Sequence, residues 1–181
     1  FNTLPVWMHN AGYKTAWVGK YLQAYDLYED DPYGTKPPGI DIWNGTFEAR
    51  YYDYGIADKG RKVHQAGHPR NYYTSVITDY ATSAIREQAK KQRPLYMTVN
   101  NLAPHFGTGN AGRCTDVVVP APRDEKAFAG AKVPRTAAYD EADISDKPSF
   151  VPDKSMTKEK SEKLDLAYGC RLASLGGVDR G

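Results

Sequence analysis

Cysteine is scarce in this chain, with only Cys114 and Cys170 among 181 residues. Two thiols so far apart in sequence make neither a zinc motif nor the disulfide scaffold of a small secreted domain, so they form one bridge or none. Long apolar runs are missing as well. No stretch approaches the roughly 20 apolar residues that a membrane helix needs, and the start at Phe1 shows no charged region followed by an apolar one, so no membrane partner is expected. Nor is charge of one sign concentrated anywhere. The 24 basic and 22 acidic residues are intermixed for a net charge of +2, which argues against a nucleic-acid partner or an anionic surface.

Hydrophobic residues at 40% and charged residues at 25% are enough for one ordinary globular core, so residues 1–181 are read as a single domain. The chain lacks an initiator Met and opens almost directly on a helix cap, and it is expected to be an internal piece of a longer protein. Thr3 caps a predicted helix over 4–10, with Pro5 in the first turn, Gly12 just past the end, and Leu4, Trp7, Met8 and Ala11 as its apolar face. Residues 13–18 alternate and are rich in aromatic and β-branched types, which predicts a strand broken by Gly19, with Lys20 at its carboxyl edge.

Acidic Glu29-Asp30-Asp31 and Pro37-Pro38-Gly39 mark a long surface loop from 23 to about 43. Residues 51–54 and 61–63, joined by Asp58-Lys-Gly60, predict a hairpin carrying exposed tyrosines. Val76, Ile77, Tyr80, Ala81, Ala84, Ile85 and Ala89 give 73–91 the spacing of an amphipathic helix. Pro94 separates it from 95–99, an apolar run read as a central strand. Proline-studded 107–154 is read as loop that lines a functional cleft or packs on another part of the protein. Helical spacing returns over 157–179 through Leu164, Ala167, Arg171, Leu172, Leu175 and Val178, and Gly176-Gly177 weakens the end.

Strand, long connection, helix, strand is the order of an α/β protein with a mostly parallel sheet. Ligands in such sheets bind beyond the carboxyl ends of the strands, and Lys20 and His105 both fall just past such ends. That coincidence is the physical argument for a site. Gly12 and Gly19-Lys20 do not make a phosphate loop, because the spacing is six rather than four, Tyr21 replaces the Ser or Thr, and the Lys ends a strand. His64 and His68 are four apart, but Gly67 and Pro69 argue against a helix that would give them one face. Glu29-Asp30-Asp31 attracts a hard cation such as calcium in principle, yet in a Pro/Gly-rich loop it reads as a solvated turn. Asn44-Gly-Thr46 is a glycosylation sequon in a chain secreted from a eukaryote.

A set of short motifs runs in one order over nearly the whole chain: Thr3-Leu-Pro-Val-Trp7, Ala11-Gly-Tyr13, Gly19-Lys-Tyr-Leu22, Pro37-Pro-Gly39, Tyr51-Tyr-Asp-Tyr54, Thr78-Asp79, Leu102-Ala-Pro-His105, Ala142-Asp143 with Asp146-Lys-Pro148, and Arg171-Leu-Ala-Ser-Leu175 with Val178-Asp179. The set resembles the sulfatase family, in particular its N-acetylglucosamine-6-sulfatase and arylsulfatase branch. That resemblance implies an alkaline-phosphatase-like α/β fold, here incomplete, with a mostly parallel central sheet, flanking helices and long loops. It implies hydrolysis of a sulfate monoester, calcium as cofactor, a formylglycine nucleophile made from Cys or Ser in Cys/Ser-x-Pro-x-Arg, and a sulfated small molecule or glycan as partner. A secreted or periplasmic parent is expected. Lys20 matches the family's sulfate-binding Lys, and His105 its sulfate-binding His, which also assists the leaving oxygen.

The chain departs from the family pattern in several places. Cys114 continues as Thr-Asp-Val and Cys170 as Arg-Leu-Ala, so neither fits the nucleophile motif. The family's early Asp-Asp pair and late Asp-Asn and Lys fall outside the matched segment. Leu22 stands where many sulfatases have His, and Gln23 where the glucosamine-sulfatase branch has Asn. The expectation is a chain that keeps Lys20 and His105, lacks nucleophile and metal ligands, and is inactive alone. Alternatives are a phosphatase or phosphodiesterase of the same superfamily, or a non-catalytic module that binds sulfated glycans.

Overall fold

The computed structural model describes residues 2–107, 114, 118–151 and 155–181. Its organising element is strand β1, Lys14–Lys20, whose β-branched and aromatic residues suit a strand covered on both faces: Thr15, Ala16 and Val18 are almost fully buried. β2, Ile42–Thr46, and β5, Leu95–Asn100, pair with it in parallel, in the order β2-β1-β5. Lys20 stands opposite Thr46, and Gly19 opposite both Gly45 and Asn100, so the strands end level with one another. Gly19 does not break β1 as its sequence position predicts. At φ +100° it stays in the ladder, and a Cβ there would lie 2.1 Å from the Asn100 carbonyl oxygen. Only glycine lets β5 come this close.

β2 corrects the reading of 23–43 as loop followed by a sequon. Asn44-Gly45 carries turn chemistry, but burial decides: Trp43, Asn44 and Thr46 are all shielded, and the Asn44 amide donates to the Ala57 carbonyl at 2.9 Å. The sequon asparagine is therefore a structural residue inside a sheet. The hairpin forms from β3, Tyr54–Asp58, and β4, Arg61–Gln65, three residues later than predicted on its first strand. Lys59 and Gly60 supply the positive φ of its tight turn, at 49° and 75°. Its tyrosines are not exposed. Tyr51 and Tyr54 are fully buried because this part of the chain turns inward onto the core formed with Tyr72, Tyr73, Ile77 and Val18.

Helix α1, Leu4–Asn10, forms as predicted, with Thr3 at the N-cap position. The Thr3 side chain makes no capping bond; its carbonyl accepts from Trp7 instead. The inward side of α1 is Pro5, Val6 and Met8, whereas Leu4 and Trp7 are about half exposed at 49% and 55%. Gly39, at φ +79°, brings the chain hard against the backbone of Val6.

Helix α2, Tyr73–Gln88, buries Val76, Ile77, Ala81 and Ala84 as their spacing requires and leaves Ile85 half exposed. Among the described residues β5 has a partner on one side only, and β1, not β5, takes the centre of the sheet.

Within 107–154, residues 108–113, 115–117 and 152–154 lie outside the described ones. The described remainder packs in part on the core. Val118, Val119 and Ala121 plug the core, a short 3-10 turn covers Pro122–Asp124, and Arg135 ties the loop to Asp165 at 2.8 Å. Helix α3, Lys158–Asp179, is capped by Thr157, whose hydroxyl accepts from Lys160. It buries Gly169, Cys170, Ala173 and Ser174 rather than its leucines, and Leu164 and Leu175 remain partly exposed. Small residues permit a close approach, and Gly177 sits against Tyr72 and Thr74. Cys114 and Cys170 are joined in a disulfide that pins the long loop to α3.

Candidate functional site

The carboxyl ends of the sheet are locked together by side-chain donors that converge on the Lys20 carbonyl. Asn100 donates its amide to the Lys20 carbonyl at 3.0 Å, and the Trp17 indole donates to the same oxygen at 3.3 Å. Beneath them the buried Tyr73 hydroxyl lies 2.7 Å from the Thr46 hydroxyl and 3.5 Å from the Asn100 carbonyl. One phenol thus meets the ends of β2 and β5, and Lys20 is held between them.

The Lys20 ammonium donates to the Phe47 carbonyl at 2.5 Å. Burial lowers its pKa, and the nearby Asp26 and Glu48 carboxylates oppose that shift and favour the charged form. An ammonium has three donors, so those not used by Phe47 remain for an anion. Phe47, which takes the ammonium, belongs to a cluster of rings that sequence reasoning did not gather into a unit. Tyr21 packs edge-on against Trp17 at 4.9 Å, Tyr25 at 4.8 Å and Trp43 at 4.9 Å, and Phe47 stacks on Tyr25. The only signal for it in the sequence was the density of aromatic residues between 17 and 47.

His105 follows β5 after a turn in which its N–H donates to the Leu102 carbonyl at 2.8 Å and the Ala103–Pro104 peptide is cis. The side chain is exposed. Its Nδ1 sits against the Phe106 carbonyl at 2.5 Å; a carbonyl only accepts, so the proton belongs on Nδ1 and Nε2 is left uncommitted. The His105 carbonyl accepts the Tyr51 hydroxyl at 2.8 Å.

Lys20 and His105 do not hydrogen-bond to each other. What joins them is residues 47–51, just past β2. Phe47 receives the Lys20 ammonium, Tyr51 holds the His105 carbonyl, and Gly107 packs so tightly on this turn that a Cβ there would lie 2.9 Å from both the Ala49 carbonyl and the Tyr51 ring. The exits of β1 and β5 therefore rest on one short segment.

The other sequence candidates separate. His64 pairs with Asp53 at 3.1 Å, while His68 caps a 3-10 turn by accepting from Arg70. Asp31 accepts from the Gly34 N–H, which closes a local turn. Among the described residues, no group of three or more His, Cys, Asp or Glu side chains is placed to hold a metal ion. A cavity of about 730 Å³ opens at the opposite, amino-terminal end of the sheet, lined by Lys14, Asp41, Ile42, Lys59, Glu87 and Lys91 among others. Two of its lysines are already engaged, Lys14 with Asp41 at 3.7 Å and Lys91 with Glu87 at 2.8 Å. The strand ends, where loop residues converge, are the better candidate.

No family model matches the sequence. The chain is, however, 31% identical over 190 residues to an arylsulfatase of Volvox carteri, an alignment covering 97% of this chain and 29% of that protein. The chain is a sulfatase homologue. It is also 24% identical over 182 residues to the bovine N-acetylglucosamine-6-sulfatase, covering 98% of this chain and 30% of that enzyme. Against the Drosophila melanogaster extracellular sulfatase SULF-1 homolog it is 29% identical over 179 residues, covering 96% of this chain and 14% of that protein. The sulfatase homologue thus spans less than a third of the length of these relatives. Its fold is that of the solved structure of BT4656 with its substrate D-glucosamine-2-N,6-O-disulfate, at a TM-score of 0.62 and 19% identity, over 99% of this chain and 44% of that one. No helix among the described residues is long and apolar enough to cross a membrane.

Proposed function

We propose that this sulfatase homologue is the sulfate-contacting part of the catalytic domain of a sulfuric ester hydrolase, with an aryl or amino-sugar sulfate as substrate. Lys20 and His105 are its substrate-binding residues. The observation that supports this most is their common footing on 47–51, past the carboxyl ends of parallel strands. Hydrolysis of a sulfate monoester breaks an S–O bond and leaves an alkoxide or phenoxide that must take up a proton. The free donors of Lys20 offset charge on the non-bridging oxygens. His105, in its protonated form, carries on Nε2 the proton that the leaving oxygen needs.

The nucleophile is not among this chain's cysteines, since Cys114 and Cys170 are fully buried and bonded to each other. Calcium, the cofactor that the family resemblance implies, finds no group of three or more His, Cys, Asp or Glu side chains among the described residues; no step here runs through it. A secreted or periplasmic location for the whole protein is supported by the disulfide, which belongs to an oxidising compartment, and by relatives named as extracellular sulfatases.

Calorimetric titration of the chain with N-acetylglucosamine sulfated at its primary hydroxyl, and with an aryl sulfate, tests this. Binding without turnover is expected, weakened roughly tenfold or more by Lys20→Ala through loss of a charge-assisted contact. Equal affinity in Lys20→Ala, a preference for the matching phosphate ester, or turnover by this chain alone would each contradict it.

A further inference from the structure

Four fully buried tyrosines lie in the core, and a phenol placed there is costly unless its hydroxyl has a partner. Tyr51 and Tyr72 form a stacked pair, with ring centroids 5.9 Å apart and planes 11° from parallel. Their hydroxyls grip two points of one loop: Tyr51 donates to the His105 carbonyl at 2.8 Å, and Tyr72 donates to the Val119 carbonyl at 3.0 Å. Between these points Cys114 is bonded to Cys170. A phenylalanine would fill either ring site equally well, so the hydroxyls need another reason.

We propose that Tyr51 is a positioning residue for substrate binding: its hydroxyl, braced by the stack on Tyr72, fixes the main chain of His105 and so sets where the imidazole meets the sulfate ester. The proposal rests on reading His105 as a sulfate contact. Tyr51 does not meet the substrate itself. It is fully buried, its hydroxyl is spent on the carbonyl, and burial pushes its phenol far above the usual range. Gly107 completes the arrangement, because any side chain there would collide with the Tyr51 ring and the Ala49 carbonyl and push the strap outward.

The test compares Tyr51→Phe with Tyr72→Phe in the full chain. Each removes one hydroxyl from the same ring stack, so the second serves as a matched structural control. The probe is N-acetylglucosamine sulfated at its primary hydroxyl; the readouts are its Kd and the NMR order parameters of the amides of His105, Phe106 and Gly107. For Tyr51→Phe we expect a Kd raised about three- to tenfold, the worth of one hydrogen bond, with lower order at 105–107 and unchanged resonances along β1. Tyr72→Phe should keep the wild-type Kd and the order at 105–107. Equal behaviour of the two variants overturns the proposal, even if Lys20→Ala still weakens binding and so upholds the sulfate site. A wild-type chain that does not bind the sugar sulfate removes the sulfate site and the proposal together. If Tyr51→Phe loses the β1 resonances, Gly107→Ala takes its place, with the same loss of affinity expected and unaltered affinity overturning the proposal.

Discussion

Replacing both Cys114 and Cys170 with alanine should lower stability by an amount that follows from where the bridge lies. The bond closes a loop between residues 56 apart in sequence. In the chain-entropy picture, a loop of that length removes about 14 cal/mol/K from the unfolded ensemble, or about 4 kcal/mol at 25 °C. Both residues are fully buried, so the substitutions also give up packing where α3 meets the loop. For a chain of 181 residues, a loss of that size corresponds to a fall in Tm of about 10 °C. Thermal unfolding followed by circular dichroism, in the wild type with and without reductant and in the double variant, checks it. The reduced wild type and the variant should melt at similar temperatures, both well below the oxidised protein. If all three melt within about 2 °C, the bridge contributes little of the expected entropy, and the 118–121 plug is held by its own burial.

Three other substitutions address different parts of the sheet. Gly19→Ala sets a methyl 2.1 Å from the Asn100 carbonyl at φ +100°, and should cost more than about 2 kcal/mol in urea unfolding by forcing β5 away from β1; a smaller loss would mean that β5 can shift freely. Asn44→Ala leaves the Ala57 carbonyl without its donor and should cost about 1–3 kcal/mol, while mass spectrometry of the chain secreted from eukaryotic cells should find Asn44 bare; a glycan on folded protein would contradict its burial. Burial pushes the Asp41 carboxyl up, but bonds from Thr15, together with Lys14 and His9, outweigh it and hold the group below its usual value. A depressed pKa gives stability that is present above the unfolded value of about 3.9 and lost as pH falls through the folded one. The urea midpoints of wild type and Asp41→Asn should therefore differ at neutral pH, begin to converge as pH falls below about 4, and meet only below the folded pKa; a gap that persists at still lower pH would refute the electrostatic origin.

Periodicity carried most of the secondary structure. Val76, Ile77, Ala81 and Ala84 recur at helical spacing, and they are the buried side of α2. Residues 95–99 are an apolar run and form β5, and Asp58-Lys-Gly60 places the hairpin turn within its own residues. Where the reading failed, a long-range effect had overruled a local one. Asn44-Gly45 has the chemistry of a turn, but β1 on one side and Ala57 on the other draw it into a strand. Leu164 and Leu175 marked an apolar face on α3, yet helix packing selects the side whose residues are small enough for close approach, Gly169, Ala173 and Gly177. Thr3 has the right residue type for a cap, and its hydroxyl is not used.

Lys20 and His105 stood out in the sequence because each lies in a motif at or just past a strand end, Lys20 as the last residue of β1. What holds them did not stand out. The Phe47 carbonyl, the Asn100 amide and the Tyr51 and Tyr73 hydroxyls lie 27 to 80 residues away from the groups they bind. The linear chain by itself determined α1, β1, the hairpin, α2, β5 and α3 in their order and two cationic candidates near the strand ends, because these follow from patterns repeated every few residues; β2 and the level strand ends came only with the fold. Only the tertiary structure decided that the cysteines pair, that the tyrosines face inward and that both anion-binding candidates lean on residues 47–51. A main-chain carbonyl looks the same in every residue, and which donor reaches it depends on how distant segments close upon each other.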